Sequence, residues 1–317
     1  MQPLALRGLL FVLYALVAYG VMFELPERLD RLLPNAGLSP VSALLIVLWL
    51  GLGLGLAGQL VFDWHRRHRY STVLLRTSVA LLSVAVLLAL LWIETVICVA
   101  IILPVAVAEA ALGIWLTRLL LARFEARTQL CVALFALPFA APFLHLPLPE
   151  MSERVAISTS ITIEAPAAVI RAEAENVSDI AENEHIWTFT HSILRAPRPV
   201  SAHTSGGIRH ARWTKGVRFE EHLLPGPDFA WRFAFPEPEL LRAIDPRISP
   251  TGPEVVMLEG RYAFEPLGSA RTRVTLTTTY QLNTPINAYL KPWGRLFLND
   301  MHRAVLHVIA NRAEARP

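Results

Sequence analysis

The sequence predicts an all-α transmembrane bundle of about five helices followed by an α+β domain, in which a curved antiparallel sheet holds a long C-terminal helix. Three observations carry this expectation. Of the 317 residues, 54% are hydrophobic and only 17% charged, against about 25% charged in soluble domains. The apolar residues of the first half come in runs of roughly 20, the length that crosses a bilayer core. The second half alternates apolar and polar residues at every other position and closes on a long amphipathic pattern. The division falls at 1–148 and 149–317.

The apolar runs span about 6–23, 41–62, 72–92, 95–121 and 128–145. Arg7 precedes the first, as in a signal peptide. The Leu25-Pro26-Glu27-Arg28 that follows offers no small-x-small cleavage site, so the run reads as a retained helix. Pro138 and Pro142 mark the fifth run as the weakest, and a re-entrant fifth run would leave the C-terminal half cytoplasmic.

Residues 1–145 hold 10 Arg and 7 acids, whereas residues 146–317 hold 17 Arg, 2 Lys and 19 acids, so the net charge of +3 belongs to the first half. The excess falls on alternate loops: Arg7, then Arg66, Arg67, Arg69 and Arg76, then Arg118, Arg123 and Arg127. The intervening loops hold only Arg28 and Arg31, balanced by Glu24, Glu27 and Asp30. Positive loops stay in the cytoplasm, which puts the N-terminus inside and, after five crossings, the C-terminal domain outside an inner (plasma) membrane.

Gly51, Gly53, Gly55 and Gly58 form a stripe that reads as close helix packing. Glu94 reads as an interfacial turn residue beside Trp92, and Glu109 as a carboxylate that snorkels or pairs within the bundle. A proton relay is the alternative for both. Cys98 and Cys131 lie in apolar runs and form neither a disulfide framework nor a metal pair. The apolar content excludes disorder, and no basic stripe on the soluble half suits nucleic acid.

In the second half, Val155, Ile157, Ile161 and Ile163 point one way and Ser158, Ser160 and Thr162 the other, a half-buried strand ended by Ala165-Pro166. Two short helices follow over 166–192, then a turn around Pro197, Pro199, Gly206 and Gly207. Strands are expected near 208–214, 217–224, 229–235, 255–265 and 271–283, with Gly268-Ser269 in the last hairpin. Thr284 and Pro285 read as N-cap and first residue of the terminal helix, and Pro292 as a kink or restart. Trp293, Phe297, Met301, Val305 and Val308 mark its apolar face.

These residues resemble the SRPBCC superfamily, the START-like and polyketide-cyclase-like helix-grip domains. The carriers are ISTSITIEAPAAVI at 157–170, GGIRHARWTKGVRFEEHLL at 206–224, LEGRYAFEPLGSARTRVTLTTTYQL at 258–282 and NDMHRAVLHVIANRAEA at 299–315. The whole chain is also similar to bacterial membrane proteins that place several helices before such a domain. The resemblance implies a cavity for a hydrophobic ligand but no particular reaction, since a shared fold hosts many functions.

The residues expected to hold that ligand are Phe219, Glu221, Trp231, Phe233, Tyr262, Phe297 and Met301. Glu221 shares the face of Val217, Phe219 and Leu223, so its carboxylate must be neutral or meet a cation. Arg209 and Arg212 are the nearest candidates, and their opposite orientation lets only one reach it. The aromatic row Phe229, Trp231, Phe233 and Phe235 is either a ligand wall or plain core. No nucleophile elbow or phosphate loop occurs. The seven histidines of this half lack metal spacing and read as solvated or capping residues, so no catalytic group, metal or cofactor is assigned.

The expected function is therefore binding of an apolar or amphipathic molecule, a lipid among the candidates, by a domain tethered to a bilayer. The alternatives are an enzyme acting on a lipid-like or polyketide-like substrate in the same cavity, and an interaction module with a filled core.

Overall fold

A computed structural model describes residues 3–24, 43–123, 128–136, 139, 151–226, 228–239, 249–252 and 254–316, with backbone only at 23–24, 43–48 and 128–131. The chain divides into two compact units, Met1–Pro147 and Leu148–Pro317.

The first unit is helical: α1 (Leu4–Tyr19, extended by a π-helical turn at Gly20–Glu24), α2 (Ala43–Asp63), α3 (Tyr70–Leu90), α4 (Val96–Arg123) and α5 (Thr128–Ala136). Three stretches are long and apolar enough to cross a membrane: Leu4–Met22, Tyr70–Leu90 and Val96–Arg123. Their outward side chains are themselves apolar, among them Leu9, Leu13, Val17, Leu75, Val79, Val86 and Leu112. A water-facing helix would be polar there. The sequence leads to five spans; the described residues supply three.

The second apolar run differs because it is the inner helix. Every residue of α2 from Gly53 to Leu60 is buried, so its apolar character serves packing within the unit. Of the fifth run, the described residues show the helix Thr128–Ala136. Pro138 and Pro142 lie outside the described residues, as do Leu25–Asp30, Arg31 and Arg127.

The glycine stripe packs as expected. A Cβ on Gly55 would strike the Ala110 backbone, one on Gly58 the Thr77 side chain, and one on Gly113 the Leu52 carbonyl.

Polar contacts order the helix ends. Arg7 Nη1 donates to the Phe62 carbonyl (3.3 Å), and Arg118 donates from Nε to Gln59 (2.9 Å) and from Nη2 to Asp63 (3.0 Å). At the other end the Tyr19 hydroxyl donates to Glu94. Arg7 and Arg118 thus meet at the C-terminal end of α2, and Arg7, Arg76, Arg118 and Arg123 lie inside helices rather than in loops. Glu94 lies in the turn between α3 and α4, as expected, and is buried there. Glu109 lies against Gly51 with its Oε2 unpartnered among the described residues.

The second unit runs β1 (Ser152–Ile163), α6 (Ala167–Glu175), a 3-10 turn (Glu182–Glu184), α7 (Phe189–Ser192), β2 (Pro199–Ser205), β3 (Ile208–Trp213), β4 (Arg218–Leu223), β5 (Phe229–Ala234), β6 (Val255–Pro266), β7 (Thr272–Asn283) and α8 (Asn287–Glu314). The seven strands form one antiparallel sheet in the order β1-β7-β6-β5-β4-β3-β2. Chain closure makes β1 one edge and β2 the other. Strand β2, absent from the sequence reading, sits where Pro197, Pro199 and Gly206-Gly207 suggested only a turn. Those glycines, at φ +59° and +81°, form the two-residue hairpin loop that brings Ser205 opposite Ile208.

Helix α8 packs on β1, β7, α6 and α7. It begins at Asn287, whose Oδ1 accepts hydrogen bonds from the Thr284 N–H (3.0 Å) and hydroxyl (2.7 Å). Thr284 is therefore a donor to the helix start and not its N-cap. Pro292 stays inside a continuous helix.

The buried face of α8 also differs from the expected one. Val308 is buried as expected, together with Leu298, His302, Leu306, Ile309 and Ala313, whereas Trp293, Phe297, Met301 and Val305 are only half-buried. His302 turns inward because both ring nitrogens find partners there: Thr278 Oγ1 at 2.8 Å and Thr159 Oγ1 at 3.0 Å. The Thr159 hydroxyl donates to Asn299 Oδ1 (3.0 Å). Thr159 Oγ1 must then accept from Nδ1–H, so Nε2 accepts from Thr278. The ring is the neutral Nδ1–H tautomer, and burial pushes its pKa down to about 4. This polar layer separates two apolar clusters, one around Ile157, Tyr280, Leu282 and Leu298, the other around Trp231, Tyr262, Leu306 and Ile309.

Candidate functional site

The sheet face that packs toward α8 carries a continuous aromatic wall. Inward positions of β5 are Phe229, Trp231 and Phe233, and Phe235 continues the row just beyond the strand. They meet Phe219 on β4, Tyr262 and Phe264 on β6, and Trp213 on β3. Ring centroids lie 5.5 Å apart for Trp231–Tyr262, 6.0 Å for Trp231–Phe233, 5.8 Å for Phe219–Phe233 and 5.9 Å for Trp213–Phe219.

Burial grades along the wall. Phe229, Trp231 and Tyr262 are at most 3% exposed, whereas Trp213, Phe219, Phe233, Phe235 and Phe264 are half-buried. Gly260 makes room at the deep end, since a Cβ there would strike the Trp231 indole.

Glu221 lies within this wall. The β3–β4 register sets Arg209 directly opposite it, and the Arg209 guanidinium donates to the Glu221 carboxylate. Both are about 95% buried. Burial pushes the Glu221 carboxyl above its ordinary value, while the guanidinium in contact pulls it back. Arg212 points outward and approaches Asp179 at 3.4 Å. Arg209 is thus the inward partner and Arg212 is not.

Several buried polar atoms near the wall have no hydrogen-bond partner of good geometry among the described residues. Arg209 Nε and Trp231 Nε1 are orphan donors, and neither nitrogen of the His191 ring nor the Thr190 hydroxyl has a hydrogen-bond partner of good geometry. The His191 ring lies 6.3 Å from that of Trp213, and burial is the main cause of its lowered pKa. Buried polar groups in folded proteins are nearly always satisfied, by protein, water or ligand. His191 and His302 are therefore interior residues, not the solvated or capping histidines the sequence suggests. No spacing signal marks either; only the fold brings them inward.

Of the seven residues expected at the site, the structure brings together Phe219, Glu221, Trp231, Phe233 and Tyr262. Phe297 and Met301 stand apart on α8. Phe297 packs on Trp293, 6.0 Å between centroids, and Met301 joins the cluster of Ile157 and Tyr280.

A groove of about 930 Å³ opens elsewhere, between β1 and the flank of α8. None of the seven residues lines it. Among the described residues, no cluster of three or more His, Cys, Asp or Glu could hold a metal.

Comparison with protein-family models and with curated proteins finds no match. Solved structures similar to part of the chain include a protein from Thermus thermophilus (20% identity, 51% of this chain and 98% of that one, TM-score 0.30). The aromatase/cyclase Zhui from a Streptomyces species is another (17%, 52% and 96%, TM-score 0.30). Norcoclaurine synthase from Thalictrum flavum is a third (12%, 51% and 98%, TM-score 0.29). Each match covers about half of this chain, and likeness at this level carries no inference about ligand or reaction.

Proposed function

We propose that residues 149–317 bind an apolar or amphipathic molecule, of lipid-like chemistry, against the aromatic wall beneath α8. The observation that carries this reading is the pair of buried orphan donors, Arg209 Nε and Trp231 Nε1, on a face lined by half-buried aromatic rings. Such a face offers apolar area with a few convergent polar groups, the usual composition of a small-molecule site. The aromatic rings suit a hydrocarbon or ring skeleton. The orphan donors suit one oxygen-bearing end of the ligand.

The apolar helices tether this domain to a bilayer, where a poorly water-soluble ligand is concentrated. We place the arginine-rich end, with Arg7, Arg66, Arg67, Arg69 and Arg118, in the cytoplasm of a bacterial cell. An odd number of crossings then leaves the binding domain outside the inner membrane. Glu221 is assigned to the Arg209 ion pair and not to acid–base chemistry, so binding is preferred to catalysis.

Native mass spectrometry of the full chain released from detergent tests the reading. The expected spectrum shows a retained small molecule of lipid-like mass at near-unit stoichiometry. A spectrum of bare chain only contradicts it.

A further inference from the structure

The groove between β1 and α8 has a chemistry of its own. Its floor is apolar, from Val155 and Ile157 on β1 and Leu296 on α8. Its rim is cationic. Of four charged lining residues, three are basic, and two of these are exposed without an ion pair or hydrogen bond among the described residues: Arg295 and Arg303. The third, Lys291, is held by Glu153 at 2.9 Å. The single acid, Asp300, is buried and accepts the Thr190 backbone N–H at 2.9 Å. Arg295 and Arg303 lie eight residues apart, about 12 Å along the helix, with Asn299 between them on the same flank.

An apolar floor alone would suit any hydrocarbon chain. The unneutralised charge on one rim selects the ligand class, since two free guanidiniums match the oxygens of a phosphate monoanion. Strand β1 is also a sheet edge, so every second residue along it turns its backbone N–H and carbonyl away from β7. Those outward N–H groups can donate to ester oxygens next to the phosphate. The volume, about 930 Å³, is at the upper end of the range of roughly 300–1,000 Å³ for small-molecule sites.

We propose that this groove holds an anionic phospholipid, with one acyl chain against Val155, Ile157 and Leu296 and the phosphate between Arg295 and Arg303. The site is separate from the aromatic wall and does not rest on the reading of that wall. Binding there would hold α8 and β1 against a lipid headgroup and select acidic lipids over zwitterionic ones.

The test uses the full chain in phosphatidylcholine nanodiscs doped with a photoreactive lipid carrying a diazirine on its acyl chain. Phosphatidylglycerol and phosphatidylcholine versions are compared, and adducts are mapped by peptide mass spectrometry. The proposal expects adducts within 152–163 and 287–303, about ten-fold or more abundant for the anionic probe, given two cationic contacts. They should vanish in the double variant Arg295→Gln, Arg303→Gln, which keeps its melting temperature because both residues are exposed, and persist in part in the double lysine variant. Equal labelling by both probes overturns the proposal, as do adducts confined to residues 4–123. Complete competition by inorganic phosphate would make the groove a free-anion site and overturns the lipid assignment. Loss of retained ligand from the aromatic wall in native mass spectra, with groove labelling intact, would sink the proposed function alone.

Discussion

Glu221 and Arg209 face each other across β3 and β4 with almost no solvent, so each depends on the other for its charge. Removing one member of such a pair leaves an uncompensated buried charge. Glu221→Gln is therefore expected to destabilise the domain by roughly 2–4 kcal/mol, read as a lower midpoint in chemical denaturation. Replacing both, Arg209→Met with Glu221→Leu, should recover most of that loss. Near-normal stability of Glu221→Gln with weakened ligand retention would instead make the carboxylate a ligand anchor.

His302 supplies a pH dependence. Its folded pKa of about 4 lies below its ordinary value near 6.5, so only the unfolded chain takes up the proton between them. Stability should fall as pH drops from about 6.5 to about 4, by at most about 3 kcal/mol. A His302→Gln variant should show a flatter profile in that window. Glu184 adds a second step. Its hydrogen bonds from Arg312 hold its pKa at about 2, below the ordinary value of 4.5. That contribution is complete above about pH 4.5 and lost as pH falls toward 2. A wild-type profile as flat as that of His302→Gln would show that the ring is not buried neutral.

The inward side of Glu221 was legible from alternation alone. Its exact partner needed the strand register. His191 and His302 were not legible, because an isolated histidine looks the same in sequence whether solvated or satisfied by two threonines.

Elements with strong periodicity were readable, and those whose polar residues point inward were not. Strand β1, the hairpin of β6 and β7, and the aromatic face of β5 all follow period-two patterns. Strand β2 was missed because two prolines and two glycines at its ends read as a turn. The buried face of α8 was misjudged because His302 and Asp300, polar by type, belong to it. The second apolar run is apolar on every face from Gly53 to Leu60 because that part of the helix is buried. Close packing sets the next expectation. Gly260→Val should force the Trp231 ring from its place and cost about 1–3 kcal/mol, with a red-shifted tryptophan emission. An unchanged midpoint and spectrum would mean that the indole does not lie across β6.

At the scale of the molecule, the chain joins a helical unit with apolar outer faces to a seven-stranded sheet and its gripping helix. The two halves were separable from composition and hydropathy, because their periodicities differ. Orientation rests on arginine placement. A reporter active only outside the cytoplasm, fused after Pro317, is expected to be active, and an inactive reporter on a stably expressed fusion contradicts the topology. Ligand identity was not legible, since neither aromatic rings nor orphan donors name a molecule. The most direct measurement of the central claim is native mass spectrometry of the full chain beside a Phe219→Ala, Phe233→Ala double variant. With Arg295 and Arg303 changed to Gln in both proteins to empty the groove, the account predicts a retained lipid-like mass on the otherwise wild-type chain and its loss from the variant, with cooperative melting preserved. Equal retention by both proteins, or none by either, would contradict binding at the aromatic wall.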